Sequence, residues 1–343
     1  MGEGGFQDGT TPQPPPLKRR GSRSRDTKTP SSSEEGGGGG VAPTVAQATR
    51  DAATRLGTDW ARDEAEMLMA HALGVTRSAM LLGHMRDPVP AVFPALLERR
   101  LAHEPIAYIT GETEFYGLPF VVTPDVLIPR SDSETLIEAA RTAFAARLAP
   151  RRILDLGTGS GALLLTLLTI WPEAEGLGLD SSANALLVAI RNAQRLANTT
   201  MAIVGPGSHA PPPHNPKAGV ARFVQRDWVK RGWGAGLGTF DLVIANPPYV
   251  EDGADLDASV RDFEPARALF AGPEGLDAYR VLIPQLPGLL APAGIAVLEI
   301  GWRQGDAVTG IARTAGFEVT LRRDLAGRPR ALILSQKSLA NSP

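Results

Sequence analysis

The chain has 343 residues, a formal net charge of −2 and no cysteine. The lack of cysteine excludes a disulfide framework and thiolate metal sites, and the five histidines show no metal-ligand spacing, so we expect no metal. The balanced charge gives no overall attraction for nucleic acid or an anionic membrane. Without a bilayer-length apolar run or an apolar signal core, we expect a soluble, cytoplasmic protein.

Residues 1–42 differ in composition from the rest of the chain. They are rich in glycine, proline and serine, and they hold too few large apolar residues to offset the entropy lost on ordering. A basic patch at 18–25 is compatible with RNA binding, but the acidic residues that flank it favour a solvated segment. We predict a disordered tail.

Residues 43–104 show the three- and four-residue spacing of apolar side chains that indicates amphipathic helices. The repeats cover 45–56, 65–73 and 92–101, with Asp63 as a helix start and Gly74 as a helix stop. This pattern predicts a small helical domain. It leaves open whether that domain serves packing or the docking of a partner.

Residues 105–130 change to short β-like runs separated by turn residues. The runs are 107–110, 114–117, 120–122 and 126–128, and Gly111 and Gly117 suit the turns between them. We therefore predict a β-hairpin linker over this stretch.

From residue 131 to about 337, apolar strands alternate with helical segments. The predicted strands are 152–156, 175–179, 221–225, 240–245, 295–299, 317–321 and 331–334. The predicted helices are 134–148, 162–170, 183–197, 276–290 and 308–315, and 204–219 is predicted to be a loop insertion. This succession predicts an α/β domain, a Rossmann-like, doubly wound and mostly parallel sheet of seven strands that closes with an antiparallel pair.

A glycine-rich loop follows the first strand of this domain and opens a helix. It holds Gly157, Gly159 and Gly161, and Asp180 lies about 20 residues on, where an acid can accept hydrogen bonds from ribose hydroxyls. Asp155 at the start of the loop would repel a pyrophosphate but could hold a cationic amino acid group. The pattern favours a nucleoside-cofactor site over a purely structural turn. The charge of Asp155 favours S-adenosylmethionine over a dinucleotide as the cofactor.

Asp227 and Trp228 come just after the third strand of the predicted sheet. The carboxylate could bind the edge of an adenine, and the indole could stack on its ring. A helix cap beside a packed indole explains the pair nearly as well, so both interpretations stay open.

A second motif follows the fourth strand and consists of Asn246, Pro247, Pro248 and Tyr249. The two prolines fix the backbone, so the Asn246 side-chain oxygen and the Pro247 carbonyl can both accept hydrogen bonds from one substrate NH₂ group. Tyr249 would supply a flat face for a planar amide or amino group. We predict that this turn is catalytic and orients a nitrogen for methylation.

Together with these motifs, several further segments resemble the PrmC/HemK family of release factor glutamine methyltransferases. The resemblance covers about 45–336 and is carried by 104–111, 114–117, 126–130, 155–161, 246–249, 264–269, 275–276, 298–304 and 324–328. One departure is the segment 131–134, which reads Ser-Asp-Ser-Glu where the family usually has proline and threonine.

The resemblance implies a class I methyltransferase domain that methylates the glutamine of the Gly-Gly-Gln tripeptide in class 1 peptide chain release factors, with the helical domain docking that substrate. It implies substrate contacts at Asn246, Pro247, Pro248 and Tyr249. It implies cofactor contacts at Gly157, Thr158, Gly159, Ser160, Gly161, Asp180, Trp228 and Asn246. We also expect a monomer without nucleic acid or membrane partners.

Two other substrates fit the same turn. Local motifs poorly distinguish a glutamine in a ribosomal protein from a glutamine in a release factor as the substrate. Methylation of adenine N6 in nucleic acid would require a basic groove, which the balanced charge disfavours. A domain that binds the cofactor only as a scaffold is disfavoured because the whole catalytic turn is present.

Overall fold

A computed structural model describes residues 42–196, 201–204 and 219–336. Almost all of the predicted tail (1–42) and of the predicted insertion (204–219) lies outside these residues. All described residues belong to one compact unit that begins at Ala42, so the domain boundaries proposed within it remain predictions. No helix in the described part of the chain has the length and apolar character needed to cross a membrane.

Helices fill most of 42–104, as the apolar spacing predicts. They are α1 (Val45–Leu56), α2 (Ala61–Leu73), α3 (Arg77–Ala79) and α4 (Phe93–Leu101). Thr44 forms a capping box at the start of α1, and Gly74 ends α2 in a left-handed conformation. Helix α2 begins at Ala61 rather than at Asp63, whose carboxylate lies in the first turn, near the positive end of the helix dipole. The apolar faces enclose a core around the fully buried Leu68.

The stretch from 105 to 130 corrects two sequence predictions. Residues 107–110 belong to a short helix, α5 (Ile106–Thr110), because Pro105 starts it and the left-handed Gly111 ends it. The predicted hairpin follows as β1 (Glu112–Phe115) and β2 (Leu118–Val121), which pair antiparallel. Residues 126–128 form no strand, since a side chain rather than a neighbouring strand binds the Ile128 N–H.

The α/β prediction is confirmed, with one extra strand. The strands are β3 (Arg152–Leu156), β4 (Glu175–Asp180), β5 (Met201–Val204), β6 (Gly219–Gln225), β7 (Phe240–Ala245), β8 (Leu290–Glu299), β9 (Phe317–Arg323) and β10 (Pro329–Gln336). Their order in the sheet is β5-β6-β4-β3-β7-β8-β10-β9, and β10 runs antiparallel to both of its neighbours. The short edge strand β5 falls in a stretch where the sequence predicts no strand.

Helices cover both faces of the sheet. They are α6 (Glu134–Phe144), α7 (Ala162–Ile170), α8 (Ala183–Leu196), α10 (Asp277–Leu282) and α11 (Gly305–Thr314), whereas the short α9 (Ala258–Arg261) has no buried residue. Ile153 of β3 packs into the core shared with α6, α7 and α8, and Leu154 into the core shared with α10 and α11. Burial on both faces explains why the central strands read as continuous apolar runs.

Two predicted helices end earlier than expected. The helix predicted over 276–290 ends at Leu282 and gives way to a 3₁₀ segment, Ile283–Gly288, because Pro284 and Pro287 cannot donate helical hydrogen bonds. The helix predicted over 134–148 ends at Phe144, where the exposed Leu148 contributes no burial to extend it. Other boundaries differ by a few residues.

Candidate functional site

The carboxyl ends of the central parallel strands surround a cavity of about 520 Å³. Strand β3 pairs with β7, so the glycine loop that follows β3 lies beside the turn that follows β7. One space is therefore lined by two motifs that lie far apart in the chain, through residues 157–160 of the glycine loop and through Asn246 and Pro248 of the turn. Gly161, which is also a predicted cofactor contact, is not among the lining residues. This is the edge at which doubly wound sheets bind their ligands.

The glycine loop bends back over the end of β4. The N–H groups of Gly157 and Thr158 both donate to the Leu179 carbonyl, at 2.8 Å each. Gly157 has a φ of +75°, and a Cβ at this position would lie 3.0 Å from the Trp228 ring. Glycine is required here for both its backbone conformation and its close approach to the indole.

Asp180 lies at the end of β4 and lines the same cavity. Its Oδ2 accepts the Gly159 N–H at 3.0 Å, and its Oδ1 accepts the Ser182 N–H at 2.9 Å. A carboxylate oxygen offers about two acceptor positions, so each oxygen keeps capacity for one more donor. These two hydrogen bonds thus fix the carboxylate in the cavity wall, and its contact with ribose hydroxyls remains a prediction.

Asp155 is fully buried beneath the loop. Its Oδ2 accepts the Thr158 hydroxyl at 2.6 Å, whereas its Oδ1 has no hydrogen-bond partner in the part of the chain described. Burial raises the pKa of Asp155 to about 7. The carboxyl is not among the cavity-lining residues, which differs from the direct cation contact that the sequence predicts.

Asp227 and Trp228 line the cavity beside the glycine loop. The Asp227 side chain accepts the Val229 N–H at 3.0 Å, and the Trp228 ring packs against Gly157 and the core below. No helix begins at Asp227, so the structure shows the packed indole of the second interpretation without the helix cap. The indole also forms part of the cavity wall. Its contact with an adenine remains a prediction.

The turn after β7 only partly faces the cavity. Asn246 and Pro248 line it, whereas Pro247 is buried and Tyr249 lies behind. The Tyr249 hydroxyl donates to Glu299 Oε1 at 3.3 Å, and burial raises the pKa of this tyrosine. The partly buried tyrosine ring packs against the core and is not among the cavity-lining residues, and the flat substrate face remains a prediction.

Comparison with known proteins adds the family. The model of the PrmC N-terminal domain matches residues 47–111. Release factor glutamine methyltransferase from Bordetella pertussis is 41% identical over 275 residues, which cover 78% of this chain and 93% of the relative. The protein of that name from Rhodospirillum rubrum is 36% identical over 84% of this chain and 82% of its own length. The chain belongs to the release factor glutamine methyltransferase family.

A solved structure of a release factor-specific protein-(glutamine-N5) methyltransferase from Alicyclobacillus acidocaldarius is 25% identical to this family member. The match covers 63% of this chain and 99% of that chain with a TM-score of 0.35, which is too low to add to what the sequence relatives show.

Asn246 of this methyltransferase is supported by two residues for which the sequence predicts no role. Its Nδ2 donates to Ser133 Oγ at 3.4 Å, and the Ser133 hydroxyl donates to Glu299 Oε2 at 2.5 Å. Burial raises the pKa of Glu299 to about 7. Glu299 falls in the segment 298–304, which carries the family resemblance, whereas Ser133 lies in 131–134, where the chain departs from the usual family sequence.

The hairpin is tied to the glycine loop by Asn192 of α8, another residue without a predicted role. Its fully buried amide donates to the Ser160 carbonyl at 2.8 Å and to the Val121 carbonyl at 2.9 Å, and accepts the Val121 N–H at 2.7 Å. A polar residue on the apolar face of a predicted helix was the sequence signal for it.

The segment that follows the hairpin forms a further wall of the cavity through Val126, Leu127 and Pro129. The Tyr108 hydroxyl donates to the Val126 carbonyl at 2.6 Å. The buried Glu264 accepts the Ile128 N–H at 3.4 Å and pairs with Arg130. Side chains from α5 and from the 264–269 motif therefore position this wall.

Proposed function

We propose that the enzyme transfers a methyl group from S-adenosylmethionine to the side-chain amide nitrogen of the glutamine in the Gly-Gly-Gln tripeptide of class 1 release factors, and so modulates translation termination. The observation that carries the proposal is the position of Asn246, which shares one cavity with the glycine loop and Asp180. Family membership then selects the glutamine amide among the planar nitrogens that such a turn can hold.

The residues around the cavity fit the methyl donor, which supplies an electrophilic methyl group on a sulfonium. Asp180 keeps an acceptor position on each carboxylate oxygen for ribose hydroxyls, and the Trp228 indole forms a wall on which an adenine can stack. The buried Asp155 adds negative potential beneath the loop when its carboxyl is ionised. We assign donor contacts to Gly157, Thr158, Gly159, Ser160, Gly161, Asp180, Trp228 and Asn246.

We assign the acceptor side to Asn246, Pro247, Pro248 and Tyr249. The Asn246 Oδ1 and the Pro247 carbonyl accept the two N–H bonds of the glutamine amide, which directs the nitrogen lone pair toward the methyl group. Transfer would form the N–C bond as the S–C bond of the donor breaks, with that electron pair going to the sulfur, so positive charge would grow on the nitrogen and both hydrogen bonds would strengthen. The nitrogen would then lose its extra proton to water. Tyr249 acts from beneath, through the packing and hydroxyl contact that support the turn.

The remaining parts of the proposal concern the partner and the setting. Helices α1 to α4 dock the release factor, and the enzyme acts as a monomer in the cytoplasm. The net charge of −2 supports a protein substrate over nucleic acid. Size-exclusion chromatography with light scattering tests the monomer, and a dimer mass would contradict it.

The decisive assay presents labelled S-adenosylmethionine together with separate acceptors: purified class 1 release factors, ribosomal proteins and DNA. We expect label on the release factors, with mass spectrometry placing one methyl group on the glutamine of Gly-Gly-Gln. A release factor with alanine in place of that glutamine serves as the control. Methylation of a ribosomal protein or of adenine, with release factors left unmodified, would replace the proposal by one of its two rivals.

We expect Gly157→Ala to weaken binding of the methyl donor at least tenfold. The new Cβ would meet the Trp228 ring at 3.0 Å, and the φ of +75° is strained for alanine. Calorimetric titration measures the affinity. Gly310→Ala is the matched control, because a Cβ there meets open space. Equal affinity for the two variants would contradict the role given to the loop.

A further inference from the structure

A chain of hydrogen bonds begins at the cavity wall, which Asn246 and Ser133 both line, and leads into the protein core. It passes from the Asn246 amide to Ser133 and then to the Glu299 carboxyl. We propose that Ser133 and Glu299 act as a polarity relay that decides which end of the Asn246 amide faces the substrate. The relay rests on the proposed function and adds two positioning residues to it.

The direction of the relay follows from the capacity of each group to donate. An ionised carboxylate can only accept hydrogen bonds, so Ser133 donates its single hydroxyl hydrogen to Glu299. The Ser133 oxygen is then left as an acceptor. The NH₂ end of Asn246 therefore turns toward Ser133, and its Oδ1 remains for the cavity.

The reversed amide would fail on both sides. Its Oδ1 would face the Ser133 oxygen without a hydrogen between them, and its NH₂ would face the NH₂ of a glutamine substrate. An unpaired buried polar group is costly, and a donor cannot hold another donor. The 3.4 Å distance from Asn246 Nδ2 to Ser133 Oγ is long for a hydrogen bond, and we expect it to shorten when a substrate amide binds to Oδ1.

The relay is held rigidly by its surroundings. Ser133 is 4% exposed and Glu299 1% exposed. Strands β7 and β8 are parallel neighbours in register, so Asn246 and Glu299 follow paired residues. The 3₁₀ turn Ser131–Ser133 is anchored by Asp132, which pairs with the buried Arg330 at 2.7 Å.

The charge state of Glu299 sets the polarity. The titratable groups that face it are Tyr249, Tyr279, Arg330 and Asp132, and burial outweighs the favourable arginine, raising the pKa of Glu299 to about 7. Above this value the carboxylate takes the serine hydrogen. Below it the protonated carboxyl can donate to Ser133 instead, which frees the serine hydroxyl to donate to Asn246 Oδ1. Turnover should therefore rise with pH through this region.

The test compares Ser133→Ala with Ser133→Thr and with the exposed neighbour Ser131→Ala. We expect Ser133→Ala to lower kcat on the release factor about 10- to 100-fold, with affinity for the methyl donor within twofold of wild type. Ser133→Thr, which keeps the hydroxyl, should restore kcat to within a few-fold, and Ser131→Ala should match wild type. Glu299→Gln should remove the rise of kcat near pH 7.

A second readout uses donor-free, ¹⁵N-labelled wild-type protein and needs no activity. The side-chain NH₂ resonances of Asn246, assigned by their loss in Asn246→Ala, should titrate with the Glu299 carboxyl and stop titrating in Glu299→Gln. Titration that persists in Glu299→Gln, or wild-type kcat in a folded Ser133→Ala, would overturn the relay. A wild-type enzyme that leaves the release factor unmethylated would instead overturn the proposed function, whatever the resonances show.

Discussion

Asn246→Ala is expected to lower turnover of the release factor about 10²- to 10³-fold, the scale on which loss of one preorganised polar group acts. The alanine removes the side-chain oxygen that accepts the substrate N–H and the Nδ2 that contacts Ser133. Single-turnover measurement with labelled donor isolates the chemical step from product release.

Measurement of donor affinity distinguishes the two predicted roles of Asn246, which are contact with the methyl donor and orientation of the substrate amide. We expect the donor affinity of Asn246→Ala to stay within a few-fold of wild type, because the glycine loop and Asp180 hold most of the donor. Asn184→Ala is the matched control, since Asn184 is an exposed asparagine of α8 that is not among the cavity-lining residues. Full turnover by Asn246→Ala would contradict the catalytic role of the turn.

The central strands of the fold could be predicted because they are buried on both faces. Strands β3 and β7 and helix α7 have the bounds that their apolar runs predict. Errors arose where local pattern competes with distant packing. The alternation at 107–110 is typical of a strand, but Pro105 and Gly111 frame one helical turn, and Tyr108 binds the remote Val126 carbonyl.

The cavity itself could be predicted only as far as short motifs reach. The glycine loop, Asp180 and Asn246 each follow a strand, so their meeting at one sheet edge follows from parallel topology. Ser133 and Glu299 meet through a hydrogen bond across 166 positions of sequence, and neither stands in a motif with known chemistry. Long-range side-chain pairs of this kind have no local pattern, so the support behind Asn246 required the structure.

The orientation of Tyr249 illustrates the same limit. An aromatic side chain after two prolines suggests a surface for stacking, and both its burial and its hydroxyl contact depend on a neighbouring strand. The Gln304 side chain further fixes this turn by donating to the Tyr249 carbonyl at 3.0 Å. Sequence therefore identified the turn but not the packing of the Tyr249 ring against the core.

Asp180→Asn is expected to weaken binding of S-adenosylmethionine about 10- to 100-fold. A hydrogen bond to a charged group contributes about 1.5–3 kcal/mol, and the substitution removes the charged acceptor. A factor of ten in affinity corresponds to about 1.4 kcal/mol. The asparagine NH₂ would also face the N–H of Gly159 or of Ser182, because the carboxylate oxygens accept both in the wild type. Titration calorimetry measures the dissociation constants. Asp277→Asn, at another acid of the cavity wall, should leave them unchanged.

A double-mutant cycle with donor analogues tests the contact itself. Removing the 2′ or the 3′ hydroxyl of the donor should weaken binding to the wild type, and the same removal should cost little more in Asp180→Asn, because the partner has already gone. Coupling of that kind is expected only between groups that share an interaction. If the two losses add independently for both hydroxyls, Asp180 acts by shaping the loop through Gly159 rather than by binding the ribose.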